Sequence, residues 1–228
     1  MQKTKKFIYD ENTPPIYYRP GTSDEILIQH LLIDKQEYFL PGLEASVVFD
    51  IGANIGVMAI VLSSVYPKAK IHCFEPEPNN FELLELNTKH LPNVVLHKEA
   101  LDSYNGETMI YGSDDATNHG GFSSHLKPEK EAIQGSMVKV SRMSQVCDTY
   151  GTPEIIKIDC EGAEHNILTD IPQLDKVLWI TGELHGVKDF ELLSKLSVTH
   201  EIQTARQFGM KVWHFQAANR EKLFKKVE

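Results

Sequence analysis

From residue 47 onward, short apolar runs alternate with stretches whose apolar residues recur at helical spacing, the pattern of a parallel sheet covered by helices. Val47-Val48-Phe49-Asp50-Ile51 reads as a first strand, followed by a glycine-rich turn and a helix over 55–65. Lys70-Ile71-His72-Cys73-Phe74 reads as a second strand that stops at Glu75. Phe81, Leu84 and Leu86 predict the next helix, and 93–97 a third strand. Glu154-Ile155-Ile156-Lys157-Ile158 reads as a fourth strand, a helix follows Glu161, and 176–180 supplies a fifth strand. Two β-rich runs, 200–205 and 211–215, face each other across Phe208-Gly209-Met210 and predict an antiparallel hairpin.

The rhythm fails over 104–136, where Gly106, Gly112, Gly120, Gly121 and Gly135 lie among polar residues, so this segment reads as an insertion of short strands and a mobile loop. Residues 1–46 read as a helical and extended cap ahead of an α/β domain at 47–228. Neither an internal repeat nor a low-complexity stretch interrupts the chain. The expected architecture is therefore Rossmann-like α/β: a mostly parallel twisted sheet, helices on both faces and an antiparallel C-terminal hairpin.

A length of 228 residues suits one such domain. No run approaches the roughly 20 apolar residues that cross a bilayer, so no membrane span is expected. The basic start at Lys3, Lys5 and Lys6 is soon broken by Asp10, Glu11, Pro14 and Pro15, with no apolar signal core, and a cytoplasmic location is expected. Cys73, Cys147 and Cys160 are odd in number, lack C-x-x-C spacing and read as reduced packing residues. The net charge is −9, and the basic residues cluster only in short runs at 3–6 and 222–226. That balance argues against a nucleic-acid partner, whose phosphates call for a broad basic face.

The turn after the first strand, Phe49-Asp50-Ile51-Gly52-Ala53-Asn54-Ile55-Gly56, is the first candidate for chemistry. Gly52 and Gly56 allow a backbone to approach a ligand closely, and free amides at a helix start favour a polar or anionic group. The plain alternative is a tight strand-to-helix turn. Glu75 falls at the end of the next strand, where an acid accepts hydrogen bonds from ribose hydroxyls. Its plain alternative is capping of the helix after Pro76 and Pro78. A dinucleotide site asks for G-x-G-x-x-G, whereas Ala53-Asn54 fills the middle here and Asp50 would repel a phosphate. A carboxylate at Asp50 suits instead the cationic end of S-adenosylmethionine, which is favoured over NAD and an NAD-dependent oxidoreductase.

With these strings stand Phe74-Glu75-Pro76-Glu77-Pro78, Ile156-Lys157-Ile158-Asp159-Cys160-Glu161-Gly162-Ala163-Glu164, Arg19-Pro20-Gly21-Thr22-Ser23-Asp24, the segment 138–146 and Gly182-Glu183-Leu184-His185. Together, over about residues 19–190, they resemble the FkbM family of methyltransferases, with Cys160 where that family more often has an aliphatic residue. The resemblance implies a class I methyltransferase fold, S-adenosylmethionine as donor and, often, O-methylation in natural-product or glycan pathways. By position it implies that Asp50, Gly52, Asn54 and Gly56 surround the methionine part and Glu75 holds the ribose. It likewise implies that Ala100, Leu101 and Asp102 flank the adenine and that Asp159 faces the methyl group and the acceptor.

Asp159, Glu161, Glu164, Glu183 and His185 converge if their strands are parallel neighbours. Asp159, Glu183 and His185 are the candidate catalytic residues, each able to accept a proton from a hydroxyl. Glu164 reads as a first-turn helix acid, and His185 alone also fits an ordinary hydrogen-bonded histidine. The same acids suit a metal ion, and since spacing does not separate the two roles, no metal is assigned. Residues 120–125 read as a lid or a surface loop, and Arg19, Thr22, Ser23 and Asp24 as a helix start or a substrate contact. The expected function is methyl transfer to a hydroxyl of a small molecule or glycan, with a cofactor-binding protein without catalysis as the alternative.

Overall fold

The computed structural model describes residues 3–11, 13–34, 38–113, 115, 117–125, 135–206 and 212–223. The chain enters through an antiparallel ribbon, β1 (Lys5–Phe7) and β2 (Ile16–Tyr18), then a short helix, α1 (Ser23–Ile28), that runs on as a π-helical turn over Gln29–Asp34. The α/β succession follows as β3 (Val47–Ile51), α2 (Val57–Val65), β4 (Lys70–Phe74), α3 (Pro78–Thr88) and β5 (Val94–His97). Next come β6 (Ala100–Asp102), β7 (Gly106–Tyr111), β8 (Gly135–Arg142) and α4 (Met143–Tyr150). The chain closes with β9 (Ile155–Ile158), α5 (Glu164–Thr169), a 3-10 turn at Leu174–Lys176, β10 (Trp179–Leu184), α6 (Asp189–Leu196), β11 (His200–Ala205), β12 (Trp213–Asn219) and α7 (Arg220–Leu223).

Seven strands form the main sheet in the order β11-β12-β10-β9-β3-β4-β5. The pairings from β10 to β5 are parallel, and β12 runs antiparallel to both β10 and β11. Alternation of side chains sends Phe49, Ile51, Ile156 and Ile158 to one face, where they pack with Met143 of α4 and Ile167 and Leu168 of α5. Val48, Ile71 and Ile155 go to the other, against Met58 and Leu62 of α2, Leu84 of α3, and Ile28, Leu31 and Leu32 from the N-terminal segment. Cover on both faces explains why β3 and β9 read as almost continuous apolar runs.

Three boundaries depart from the periodicity. The fifth parallel strand is Trp179–Leu184 rather than 176–180, because Leu174–Lys176 is a turn and the strand continues through polar Thr181, Gly182 and Glu183. The last strand reaches Asn219, since Ala217 and Ala218 are buried beside β10 and β11. Ala100–Asp102, past the third strand and ahead of the expected insertion, form a further strand, β6, paired with β8 in a separate three-stranded sheet with β7. The expected turn at Phe208-Gly209-Met210 and part of the insertion, 126–134, lie outside the described residues. Among the described residues no helix is long and apolar enough to cross a membrane.

Candidate active site

Strand register aligns four carboxyl ends. Ile51 pairs with Phe74 on one side and Ile158 on the other, and Ile158 pairs with Gly182. The residues that follow are Gly52, Glu75, Asp159 and Glu183, so these four stand in one row along the carboxyl edge of β4, β3, β9 and β10. The order of connection reverses between β3 and β9, the place where open α/β sheets bind ligands. A cleft of about 190 Å³ opens on this row, lined by all four residues together with Asn54, Ala100 and Leu101. Asn118, Gly120, Phe122 and Ser124 of the insertion also line it.

The turn after β3 is held by its neighbours. The amides of Gly52 and Ala53 donate to the carbonyl of Phe74, both at 3.0 Å, and Lys157 Nζ donates to the carbonyl of Gly52 at 2.7 Å. Gly52 has φ +75°, and a Cβ there would sit 1.8 Å from the carbonyl oxygen of Asp159, so the crowding of two strands already closes the position to side chains. Gly56 has φ +89°, and a Cβ on it would meet Leu84 at 2.8 Å. Its glycine lets α2 pack on α3, and it does not line the cleft. Asp50 is fully buried beneath the turn, 3.5 Å from Lys157 Nζ. Burial raises its pKa and the Lys157 charge opposes that rise. The negative charge that suggested a cationic ligand therefore faces a lysine of the chain itself.

Glu75 accepts from the amide of Asn54 on Oε2 and from the amide of Glu77 on Oε1, both at 2.8 Å. Glu77, not Glu75, caps α3, accepting from the amide of Asn80 at 2.7 Å with Pro78 at the first turn. Burial pushes the Glu75 carboxyl up to about 7 in spite of the two amides. Asn54, at φ +50°, lines the cleft with a buried Oδ1 that has no hydrogen-bond partner among the described residues. Ala100 and Leu101 line it on the β6 side. Asp102 does not: it holds the amide of Ser103 at 2.6 Å and Asn166 Nδ2 at 3.0 Å behind that wall.

At the other end of the row the acids converge on His185. Nδ1 of His185 lies 2.8 Å from Oε1 of Glu164, which also accepts from the amides of Cys160 and Gly162. Nε2 lies 3.4 Å from Glu161, 3.6 Å from Glu183 and 3.7 Å from Asp159. Burial disfavours a charged ring, but the Glu164 hydrogen bond and the surrounding carboxylates lift the His185 pKa to about 10. Burial would also raise Glu164, yet its bond to His185 holds it below the usual carboxylate range. Burial carries Glu161 to about 7, against the pull of His185.

Glu161, expected in the cluster, joins it through a left-handed backbone, φ +57°, rare for a side chain of its kind. Three residues are added to those the sequence singled out for chemistry. Tyr38 reaches over from the N-terminal segment to donate to Asp159 Oδ2 at 3.2 Å, a contact with no local sequence signal. Lys157, a charge inside an apolar strand, is buried beneath the glycine turn. Cys160, expected to be packing, lines the cleft, while Cys73 and Cys147 are buried. Arg19 and Asp24 form a buried ion pair at 2.8 Å, with Arg19 also donating to Asn80. Thr22 caps α1, and Ser23 Oγ accepts from the amide of His119. Ser123 Oγ donates to the carbonyl of Glu161, so the insertion is tied down over both ends of the row.

This sheet order, with one reversed strand, helices on both faces and a glycine turn at the carboxyl edge, is the Rossmann-like fold of class I methyltransferases. Residues 50–211 match the family model described as the methyltransferase FkbM domain, and the chain belongs to that family. It is 28% identical over 179 residues to hexuronic acid methyltransferase AglP of Haloferax volcanii, covering 76% of this chain and 68% of that protein. To 31-O-demethyl-FK506 methyltransferase FkbM of Streptomyces tacrolimicus it is 26% identical over 196 residues, covering 72% of this chain and 75% of that one. Among solved structures, the Methanococcus jannaschii fibrillarin pre-rRNA processing protein superposes with a TM-score of 0.49 at 10% identity, covering 95% of this chain and 88% of that one.

Proposed function

We propose that this methyltransferase takes its methyl group from S-adenosylmethionine and delivers it to a hydroxyl oxygen of a small molecule or glycan. The observation that carries the reading is the row Glu75, Gly52, Asp159 and Glu183 along one sheet edge, a buried acid at one end and an acidic cluster at the other. The residues fit an adenosyl ligand: a buried carboxylate, an unpartnered amide oxygen on Asn54 and the apolar wall at Ala100 and Leu101. Two relatives named for transfer to a hexuronic acid and to a 31-O-demethyl compound support an oxygen-rich acceptor.

When bound, the cofactor supplies a methyl group on a positively charged sulfur. Glu75 would accept from the ribose hydroxyls, while Gly52 and Asn54 would meet the amino-acid part. Asp50 and Gly56 act from beneath, the first through Lys157 and the second through the packing of α2, and Asp102 braces the adenine wall from behind. Asp159, with Tyr38 fixing one of its oxygens, would orient the acceptor hydroxyl and take its proton as that oxygen receives the methyl group. Glu183 and His185 hold the acidic surface on which the acceptor sits, and Phe122 shields it from water.

The test is incubation with S-adenosylmethionine labelled in its methyl group and a panel of uronates, neutral glycans and macrocyclic alcohols, with products read by NMR. Label in a new methoxy group is the expected result. Label on nitrogen, or none across a panel in the presence of folded, cofactor-binding protein, would contradict the reading.

A further inference from the structure

The arrangement around His185 asks for a cation. Its side chain is 4% exposed, and the bond from Nδ1 to Glu164 fixes the ring so that Nε2 points at carboxylates of Asp159, Glu161 and Glu183. Nε2 lies 3.4–3.7 Å from each of them, beyond hydrogen-bond length. Adjacent ligands around an ion whose bonds are about 2.1 Å long lie roughly 3–3.5 Å apart, so the Glu161 oxygen at 3.4 Å already has that spacing and the Asp159 oxygen at 3.7 Å lies just outside it. One nitrogen and carboxylate oxygens of Asp159 and Glu161 also lie mutually within 4.8 Å. Glu164 completes the pattern: a buried carboxylate on the far nitrogen is the usual outer-shell partner of a metal-bound histidine.

We infer that Asp159, Glu161 and His185 form a divalent metal site, with Glu164 orienting the histidine. The sequence left these acids without a metal because spacing alone does not separate proton acceptors from metal ligands, whereas the left-handed turn at Glu161 sets that carboxylate beside His185. Two carboxylates and one imidazole suit Mn²⁺, which accepts both kinds of donor, better than thiolate-seeking ions or the all-oxygen preference of Mg²⁺. Asp159 and Glu161 are about one quarter exposed, so the open side of the site faces the cleft. On the methyltransferase reading above, that side takes the acceptor hydroxyl and eases loss of its proton to a neighbouring carboxylate.

Titration of the full chain with Mn²⁺ alone, followed by the electron paramagnetic resonance signal of free Mn²⁺, tests the site without cofactor or acceptor. One saturable site per chain is expected. Glu164→Gln should weaken it about 10–100-fold, the usual effect of losing an outer-shell partner. Glu161→Gln and His185→Gln should each weaken it at least tenfold, while S-adenosylhomocysteine affinity stays within a few-fold as proof of fold. Should His185→Gln not fold, Glu161→Gln on the cleft rim carries the comparison. No saturable Mn²⁺ binding, or binding unchanged in Glu161→Gln, overturns the site. A native chain that binds S-adenosylhomocysteine but not Mn²⁺ overturns the metal and leaves the methyltransferase reading standing. One that binds Mn²⁺ at these residues but not S-adenosylhomocysteine does the reverse.

Discussion

Lys157 Nζ stands 3.5 Å from the buried carboxylate of Asp50 and 2.7 Å from the carbonyl of Gly52, so one buried lysine ties the strand below the glycine turn to the turn itself. Asp50 therefore shapes the glycine turn from underneath, and its charge is met inside the protein.

That pairing predicts a large stability effect. Lys157→Met leaves Asp50 buried without a countercharge and is expected to cost about 3–5 kcal/mol in urea unfolding. Adding Asp50→Asn should recover part of the loss by removing the stranded charge. Equal stability of Lys157→Met and the native protein would mean that Asp50 is already protonated.

Glu75 sets a pH dependence. Its pKa is raised to about 7, above the ordinary 4.5, so the carboxyl favours the folded state in its protonated form. Its contribution to stability is full below about 4.5 and lost as pH rises through 7. Ribose hydroxyls donate to the ionised form, so S-adenosylhomocysteine should bind more tightly at pH 8 than at pH 6. Calorimetric titrations across that range check the slope, which Glu75→Gln should flatten.

At a single pH near 8, Glu75→Gln is expected to lose about 1–3 kcal/mol of S-adenosylhomocysteine binding, the worth of hydrogen bonds to a charged acceptor. The amide nitrogen it introduces also opposes the N–H of Asn54 or Glu77. Unchanged affinity would remove Glu75 from the ribose site.

Asp159→Asn should hold cofactor affinity within a few-fold and lower turnover by about 10²–10⁴, the contribution of a positioned acid–base group. Tyr38→Phe, which frees one oxygen of that carboxylate, should give a smaller loss of turnover in the same direction. If affinity fell in step with rate for Asp159→Asn, the residue would belong to the cofactor and not to the acceptor.

Much of this was legible in the chain. Strong local patterns gave β3, β4 and β9 nearly residue by residue, because strands covered on both faces must be apolar throughout. The edge acids Glu75 and Asp159 followed from the strand ends. β10 was misplaced because Thr181, Gly182 and Glu183 look like a loop, although the sheet completes their hydrogen bonds. Long-range contacts left no trace in the sequence, as with Tyr38 on Asp159, and Gly56 gave no hint that its role is helix packing. The position of Asp50 could not be read either, since its partner lies on a strand more than a hundred residues away.

The central claim is that the carboxyl-edge row holds the methyl donor with its sulfur toward Asp159. A crystal structure of the chain with S-adenosylhomocysteine tests it most directly. The account predicts ribose hydroxyls on Glu75, adenine against Ala100 and Leu101, and the sulfur on the Asp159 side of Gly52. A nucleoside bound elsewhere, or one whose sulfur faces away from Asp159, Glu183 and His185, would contradict it.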